Sequence, residues 1–345
     1  MLQTNQYKPH WIREDFVDFM LAKVNPLWTM RRTMARIEDI QPIADDMIKL
    51  TLTPNNKFTA FKPGQFVMLT VRIDGVQHQR AYSLVSSPND QYLVLGIKQQ
   101  GLVSGYLATK ARIGDVIEIS PAMGEFVLKD TLQPILLIAA GSGITPMISL
   151  AKQALMQQDT LVTRPVTLIY YSRDPAFKAE LEALANQHQH FNLHIIVDSQ
   201  DHPAFFSEST LDELGIDAAT HQTYVCAAPS LMKATRQIWQ KNGWDKQLTQ
   251  ESFLPVTVSA DAQAIPVNFR RSMQQFEARG NLLASAEAAG LKPSFGCRMG
   301  ICNTCVCTKV SGAVKNQLTG EINDQNNVQI KLCVSEAVSP VEIDL

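Results

Sequence analysis

At 345 residues, with 45% hydrophobic and 19% charged residues, the chain has room for two to three domains of ~150 residues and can bury a sizeable core without disulfide staples. A formal net charge of -2 offers no basic domain of the kind that nucleic-acid binding calls for. No apolar run approaches the ~18 residues of a membrane span, and the opening MLQTNQYKPHWIRED lacks the apolar core and small-residue cleavage site of a signal peptide.

The first segment, residues 1–33, places Ile12, Phe16, Phe19, Met20 and Val24 at helical spacing. Trp11 and Trp28 flank it, and Arg31, Arg32 and Arg36 follow. Two readings stand: a helix packed on the body of the protein, or a surface that touches a membrane or a membrane-bound partner, where aromatic and basic residues favour the boundary. The expected location is therefore cytoplasmic, with peripheral contact at the inner face of the membrane as the sharper version.

Next come short alternating runs separated by glycine or proline turns: DMIKLTLTP, QFVMLTVRI, RAYSLVSSP, YLVLGIKQQ and DVIEISPAM. They predict an antiparallel barrel over about 34–130. Residues 135–150, ILLIAAGSGITPMISL, then read as a buried strand, a glycine turn and a helix. Gly141 and Gly143 let backbone approach a pyrophosphate, the helix N-terminus offers free N–H groups, and Pro146 suits the first helical turn. By itself G-x-G-x-x-P is most often just a turn, and it lacks the third glycine of the common dinucleotide fingerprint.

VTLIYYSRD is a second buried strand, ending at Ser172 and Arg173. An arginine at that strand end suits a 2′-phosphate, favouring NADP over NAD; the plain alternative is a solvated surface charge. FKAELEALANQ, NLHIIVD and TYVCAAPSLM continue the alternation of helix and strand, which predicts a parallel doubly wound sheet. His188 and His190 show no metal spacing and read as an exposed helix end, while QDHPAFFSEST and NQLTGEINDQNN read as polar loops.

The last segment holds IPVNF, a helix from the cap Asn281 to the stop Gly290, and FGCRMGICNTCVC. Cys297, Cys302 and Cys305 are spaced C-x4-C-x2-C, with Cys333 further on. That is the plant-type [2Fe–2S] ligand spacing, and thiolates are soft ligands that suit it. Gly296 and Gly300 supply the backbone freedom of a tight loop. Disulfides are a poor reading in a reducing compartment. Structural zinc is the bland alternative, though zinc sites more often show two C-x2-C pairs. Cys307 reads as a small buried neighbour rather than a ligand.

FGCRMGICNTC closely matches the C-R-x-G-x-C-x-x-C of plant-type ferredoxins, and residues 256–345 resemble that β-grasp domain. Upstream, FKPGQF, RAYS, PAMGEF, GSGITP and CAAPSLM resemble, in this order, the motifs of the ferredoxin–NADP reductase superfamily. The resemblance implies a flavin held by Arg80, Ala81, Tyr82 and Ser83 and by the helix start Gly101, Leu102, Val103 and Ser104. It implies a nicotinamide turn at Gly141, Gly143, Thr145 and Pro146, with Ser172 and Arg173 on the 2′-phosphate.

Cys226 falls where the superfamily has a cysteine near the nicotinamide, although Ala227 stands where glycine is usual. Glu251 and Phe253 resemble the E-x-F that closes the nicotinamide domain beside the flavin. The catalytic expectation is thus Ser83, Cys226 and Glu251. Physically, Arg80 offers a fork of donors to a diphosphate, Tyr82 a flat ring for the isoalloxazine, and Ser83 a hydroxyl near the flavin N5. Taken singly, each also reads as plain barrel structure.

The expected fold is multidomain, β plus α/β: a helical extension (1–33), a flavin-binding β-barrel (34–130), a doubly wound nicotinamide domain (131–254) and a β-grasp ferredoxin domain (255–345). The implied cofactors are FAD, with FMN the less favoured choice, NADPH, with NADH the alternative, and a [2Fe–2S] cluster. This module order behind such an extension resembles the electron-transfer partners of bacterial membrane acyl-CoA Δ9 desaturases. A reductase of a Rieske or diiron oxygenase, or of a hybrid-cluster protein, shares the same modules. A non-catalytic iron–sulfur relay subunit is the alternative of another class.

Overall fold

The computed structural model describes residues 14–156, 164–197, 206–253 and 263–345. Trp11 and Ile12 of the expected first helix lie outside them. Helix α1 (Glu14–Val24) leads into an antiparallel sheet of β1 (Thr33–Ala44), β2 (Met47–Pro54), β3 (Phe66–Ile73), β4 (Val76–Ser83), β5 (Leu93–Lys98) and β6 (Val116–Ile119), with α2 (Leu102–Thr109) between the last two. The strand order is β4-β3-β6-β1-β2-β5, and a bridge from Leu84 to Leu95 joins the two outer strands into a barrel. Inward residues such as Ile37, Leu50, Leu69 and Ile97 are fully buried. Each contributes about 1.5–3 kcal/mol by leaving water.

Strand β1 is absent from the expected strands. Arg36, Glu38 and Asp39 break its alternation, and Pro42 removes a donor. The ladder tolerates them because its register shifts at Ile37/Asp39 and again at Pro42/Ala44. The outcome for α1 also differs from its packed reading. Phe16, Phe19, Met20 and Val24 point outward, 51–73% exposed. What holds the helix is polar: the buried Asp18 carboxylate accepts from the Met30 amide at 2.6 Å and from Arg32 Nε at 3.3 Å.

The middle of the chain forms β7 (Ile135–Ala140), α3 (Ile144–Met156), β8 (Val166–Ser172), α4 (Lys178–Gln187), β9 (Phe191–Val197), α5 (Glu208–Glu213), β10 (Gln222–Cys226), α6 (Pro229–Asn242) and β11 (Leu248–Glu251). Its sheet is all parallel, in the order β11-β10-β7-β8-β9. β7 and β8 are buried on both faces, which is why they read as unbroken apolar runs. Strand order reverses between β7 and β10, so a crevice opens beyond Ala140 and Cys226, where ligands of open α/β sheets bind. Met47, Val85 and Phe126 of the barrel share one core with this domain.

The last domain has β12 (Ile265–Phe269), β13 (Gln274–Ala278), α7 (Leu282–Ala288), β14 (Val306–Ser311), β15 (Val314–Asn316), β16 (Ile322–Asn323), β17 (Val328–Lys331), β18 (Ser335–Ala337) and β19 (Val341–Ile343). A five-stranded sheet, β13-β12-β19-β14-β17, has one parallel pair, β12 with β19. Asn281 caps α7 as expected: its Oδ1 accepts from the Ala284 amide at 3.0 Å. Its Nδ2 donates to the Cys333 carbonyl at 2.6 Å, so one cap also fixes the chain at a candidate ligand.

Candidate functional site

Two adjoining cavities lie between the domains, the first lined by all three and the second by the barrel and the parallel-sheet domain. The first, about 390 Å³, is lined by every residue expected at the flavin: Arg80, Ala81, Tyr82 and Ser83 from the end of β4, and Gly101, Leu102, Val103 and Ser104 from the start of α2. The local chemistry explains why they converge. Gly101 caps α2, and the Ser104 hydroxyl accepts from the Gly101 amide at 3.0 Å, fixing that turn. The backbone N–H groups of this first turn are left for an anion. The Ser83 hydroxyl is buried and has no hydrogen-bond partner in the protein. An orphan of this kind facing a cavity is what a bound ligand would satisfy. Burial holds the Tyr82 phenol neutral, well above its ordinary range.

The second cavity, about 740 Å³, follows the crevice of the parallel sheet. Gly141, Gly143, Ser172, Arg173 and Cys226 line it. A Cβ on Gly143 would stand 1.9 Å from the Cys226 carbonyl oxygen, so only glycine lets the turn after β7 meet the end of β10. Thr145 lines the first cavity instead, and Pro146 is buried within the first turn of α3. Phe253, Lys98, Gln100 and Ser142 line both cavities. Lys98 carried no signal in the sequence, since a strand-end lysine reads as a surface charge; its ammonium lies 3.2 Å from Asp46.

Glu251 lines neither cavity. It is buried, directly across the parallel ladder from Cys226, with Oε2 unpartnered. Burial pushes its carboxyl up to about 8. Burial, with Glu251 adding to it, pushes the Cys226 thiol up as well.

Cys297, Cys302, Cys305 and Cys333 are all buried within one region as free thiols. They come as two pairs. Cys297 and Cys302 hydrogen-bond to each other, and Cys305 Sγ lies 3.2 Å from Cys333 Sγ. Among the described residues, no three His, Cys, Asp or Glu side chains converge on one ion position. The pairing of the thiols suits two irons, each held by a pair. The amides of Met299 and Cys302 point at Cys297 Sγ at 3.4 and 3.3 Å, as thiolates require. Gly296 packs close under the loop: a Cβ there would stand 2.8 Å from Thr304 Oγ1 and 2.9 Å from Cys302 Sγ, so both side chains would have to shift. Cys307 is buried beside them, its Sγ within hydrogen-bond reach of the Ile330 carbonyl at 3.9 Å.

The cysteine loop does not stand apart from the first cavity. Cys297, Met299 and Cys302 pack with Phe66 and Met68 of the barrel, and Ala81, Met123 and Phe253 join the same cluster. Cys297, Arg298 and Met299 themselves line the first cavity. The motifs that named the two sites gave no sign that they share a wall.

Three family models match the chain in this order: an oxidoreductase FAD-binding domain over residues 34–128, an oxidoreductase NAD-binding domain over 137–237, and a 2Fe-2S iron-sulfur cluster binding domain over 267–338. An NADPH oxidoreductase of Mycobacterium tuberculosis is 28% identical over 343 residues, covering 95% of this chain and 88% of that protein. The ferredoxin reductase component of 3-ketosteroid-9-alpha-monooxygenase from Rhodococcus rhodochrous is 30% identical over 286 residues, covering 74% of this chain and 79% of that one. Among solved structures, phthalate dioxygenase reductase superposes with a TM-score of 0.62 at 25% identity, covering 90% of this chain and 97% of its own. With the barrel, the parallel crevice and the four paired thiols, these place the chain in the ferredoxin–NADP reductase superfamily, as an oxidoreductase of FAD and NADPH that carries a C-terminal [2Fe–2S] ferredoxin domain.

Proposed function

We propose that this protein draws electrons from NADPH and passes them, one at a time, to an external acceptor protein. The observation that carries this is the cysteine loop forming part of the flavin cavity, while the nicotinamide crevice opens on the other side of Phe253. NADPH supplies a hydride, FAD takes two electrons and gives them up singly, and a [2Fe–2S] centre carries one.

The chain's own residues supply position and electrostatics. Arg80 and the α2 turn of Gly101–Ser104 would hold the diphosphate of FAD, Tyr82 would offer its flat ring to the isoalloxazine, and Ser83 its unpartnered hydroxyl to the flavin. Gly141, Gly143, Thr145 and Pro146 shape the turn for the pyrophosphate of NADPH, and Ser172 and Arg173 take its 2′-phosphate. Glu251 keeps Cys226 company as a neutral acid beside the crevice. Cys297, Cys302, Cys305 and Cys333 hold the cluster. Phe253, which lines both cavities, would stand between the flavin and the nicotinamide.

For the acceptor, the leading reading is a membrane acyl-CoA Δ9 desaturase. The outward apolar row Phe16, Phe19, Met20 and Val24 supports it, because a peripheral donor gains from touching the bilayer that holds its acceptor. No helix of the described residues is long and apolar enough to cross a membrane. The match to the tuberculosis protein covers 95% of the chain, so it takes in part of the first 33 residues. The second reading, a reductase component of a soluble oxygenase, draws on the Rhodococcus and phthalate dioxygenase relatives, which are reductase components of oxygenases.

One assay separates them. Purified protein, NADPH and long-chain acyl-CoA are added to membranes holding the desaturase, and in parallel NADPH and protein are added to a Rieske oxygenase with its substrate. Monounsaturated product that vanishes with Cys302→Ser supports the desaturase; hydroxylated product alone selects the oxygenase. Flavin that is not bleached by NADPH in the isolated chain would point to a relay subunit and defeat the proposal.

A further inference from the structure

The flavin cavity has a wall supplied by another domain, and one side chain sets where that wall stands. Arg298 lies between Cys297 and Met299, both buried against Phe66 and Met68 of the barrel. Its backbone is left-handed, with φ 60°, a conformation a side chain adopts at a cost of about 1–2 kcal/mol. Something must hold it there. The two terminal nitrogens of its guanidinium donate to the two carboxylate oxygens of Glu287 on α7, at 2.7 and 2.6 Å. The guanidinium also stands over the Phe295 ring, 3.9 Å from its centre. A planar fork gripping both oxygens while lying on a ring permits one orientation of the loop.

The anchor at the other end is equally fixed. α7 starts at Asn281, whose side chain bonds the Cys333 carbonyl. The chain of contacts thus runs from Cys333 through α7 to Glu287, to Arg298, and so to the cavity wall. Both members of the ion pair keep part of their surface in water, 34% for Arg298 and 27% for Glu287. Their attraction is therefore screened, and the pair matters for geometry more than for global stability.

We propose that the Arg298–Glu287 pair is a positioning device for FAD: it holds Cys297 and Met299 in the flavin cavity, so that the ferredoxin domain takes part in retaining the flavin. The proposal rests on the FAD and cluster sites described above. Binding free energies are reciprocal, so a loop that tightens FAD is itself ordered by FAD.

The test uses full-length, cluster-loaded protein with Arg298→Gln, Arg298→Lys, Glu287→Gln and the reversed pair Arg298→Glu with Glu287→Arg. Iron and sulfide content and the spectrum of the dithionite-reduced cluster report the cluster. Fluorescence titration of flavin-stripped protein reports the FAD dissociation constant, and hydrogen exchange reports residues 295–304 with and without FAD. The expected result is a retained cluster and FAD binding weakened roughly three- to tenfold in each single variant. Lysine should not rescue, since it lacks the fork, and the reversed pair should recover part of the loss. FAD should slow exchange in the loop of the wild type and less so in Arg298→Gln. FAD affinity unchanged in both glutamine variants, with the cluster intact, overturns the proposal. Loss of the cluster in both variants also overturns it, by showing that the pair serves cluster assembly. Wild-type protein that takes up no FAD defeats the flavin site itself, and this proposal with it.

Discussion

Cys226 and Glu251 face one another across the parallel strands β10 and β11, both sealed from water. Neither bears a charge at neutral pH, because burial raises the carboxyl to about 8 and raises the thiol too. Of the two, Cys226 lines the crevice, and Glu251 stands behind it as a neutral acid. A carboxylate there would leave an uncompensated negative charge buried behind the crevice.

The first prediction follows from that proton. In the unfolded chain Glu251 titrates near its ordinary 4.5, and in the folded protein near 8. The folded state therefore holds a proton that the unfolded state gives up across this window. Its contribution is fully present below the lower value and is lost as pH rises through the upper one. Wild-type stability should fall between about pH 5 and 8 by an amount on the order of 3 kcal/mol from this group. Glu251→Gln cannot ionise and should give a flatter profile. Urea midpoints across that range check this; parallel profiles for the two proteins would show that the carboxyl is not held neutral. Flavin reduction by NADPH should also slow above about pH 8 in the wild type and not in the variant.

The second concerns cofactor choice. Arg173 is exposed just past the end of β8 and lines the second cavity. If it holds the 2′-phosphate, Arg173→Ala removes a charge-assisted contact worth about 1.5–3 kcal/mol. That corresponds to a roughly 10- to 100-fold rise in KM for NADPH. KM for NADH, which lacks the phosphate, should barely change. Steady-state kinetics with both donors decides the point, and an equal loss for both would remove Arg173 from the 2′-phosphate site.

The sequence was most informative where chemistry demands a fixed local spacing. C-x4-C-x2-C, RAYS and GSGITP each lie on a few consecutive residues, and each falls on a cavity or a thiol pair. It was least informative where function arises from contacts between distant segments. Arg298 sits more than 200 residues from Tyr82, yet both line one cavity. No periodicity or motif encodes such a meeting, because it is set by the packing of Phe66 and Met68 on the loop. β1 escaped for a different reason: Pro42 and three charged residues disguise a strand whose ladder bends around them. For α1 the apolar spacing gave the helix but not the side it faces, since Asp18, a single buried carboxylate, sets its seat.

The third prediction addresses the cluster. The Thr304 hydroxyl hydrogen-bonds the Cys302 sulfur. A donor to a ligand sulfur favours the reduced, more negative cluster and raises its potential. Thr304→Val keeps the shape and removes the donor. The midpoint potential should fall by roughly 20–60 mV, as expected for a bond of about 0.5–1.5 kcal/mol and 59 mV per tenfold for one electron. Spectroelectrochemical titration of the two proteins measures it; an unchanged or higher potential would mean that the hydroxyl does not reach the cluster sulfur.

The fourth tests the crevice through a pair of glycines. A Cβ on Gly143 would stand 1.9 Å from the Cys226 oxygen and 2.5 Å from its carbonyl carbon. Both contacts are backbone, and neither can swing away as a side-chain tip could. In Gly143→Ala the turn after β7 must retreat by about an ångström, which in a hydride-transfer site can cost on the order of 10²-fold in rate. FAD content and the cluster spectrum should stay as in the wild type, because Gly143 does not line the flavin cavity. Gly105, inside α2, offers the contrast: a Cβ there meets nothing within 4 Å. Gly105→Ala should leave NADPH oxidation intact and stabilise the helix by up to ~1 kcal/mol. Stopped-flow flavin reduction with NADPH separates the two variants. Fast reduction in Gly143→Ala would mean that the close approach of β7 and β10 does not govern nicotinamide placement, and the crevice would then lose its main structural argument.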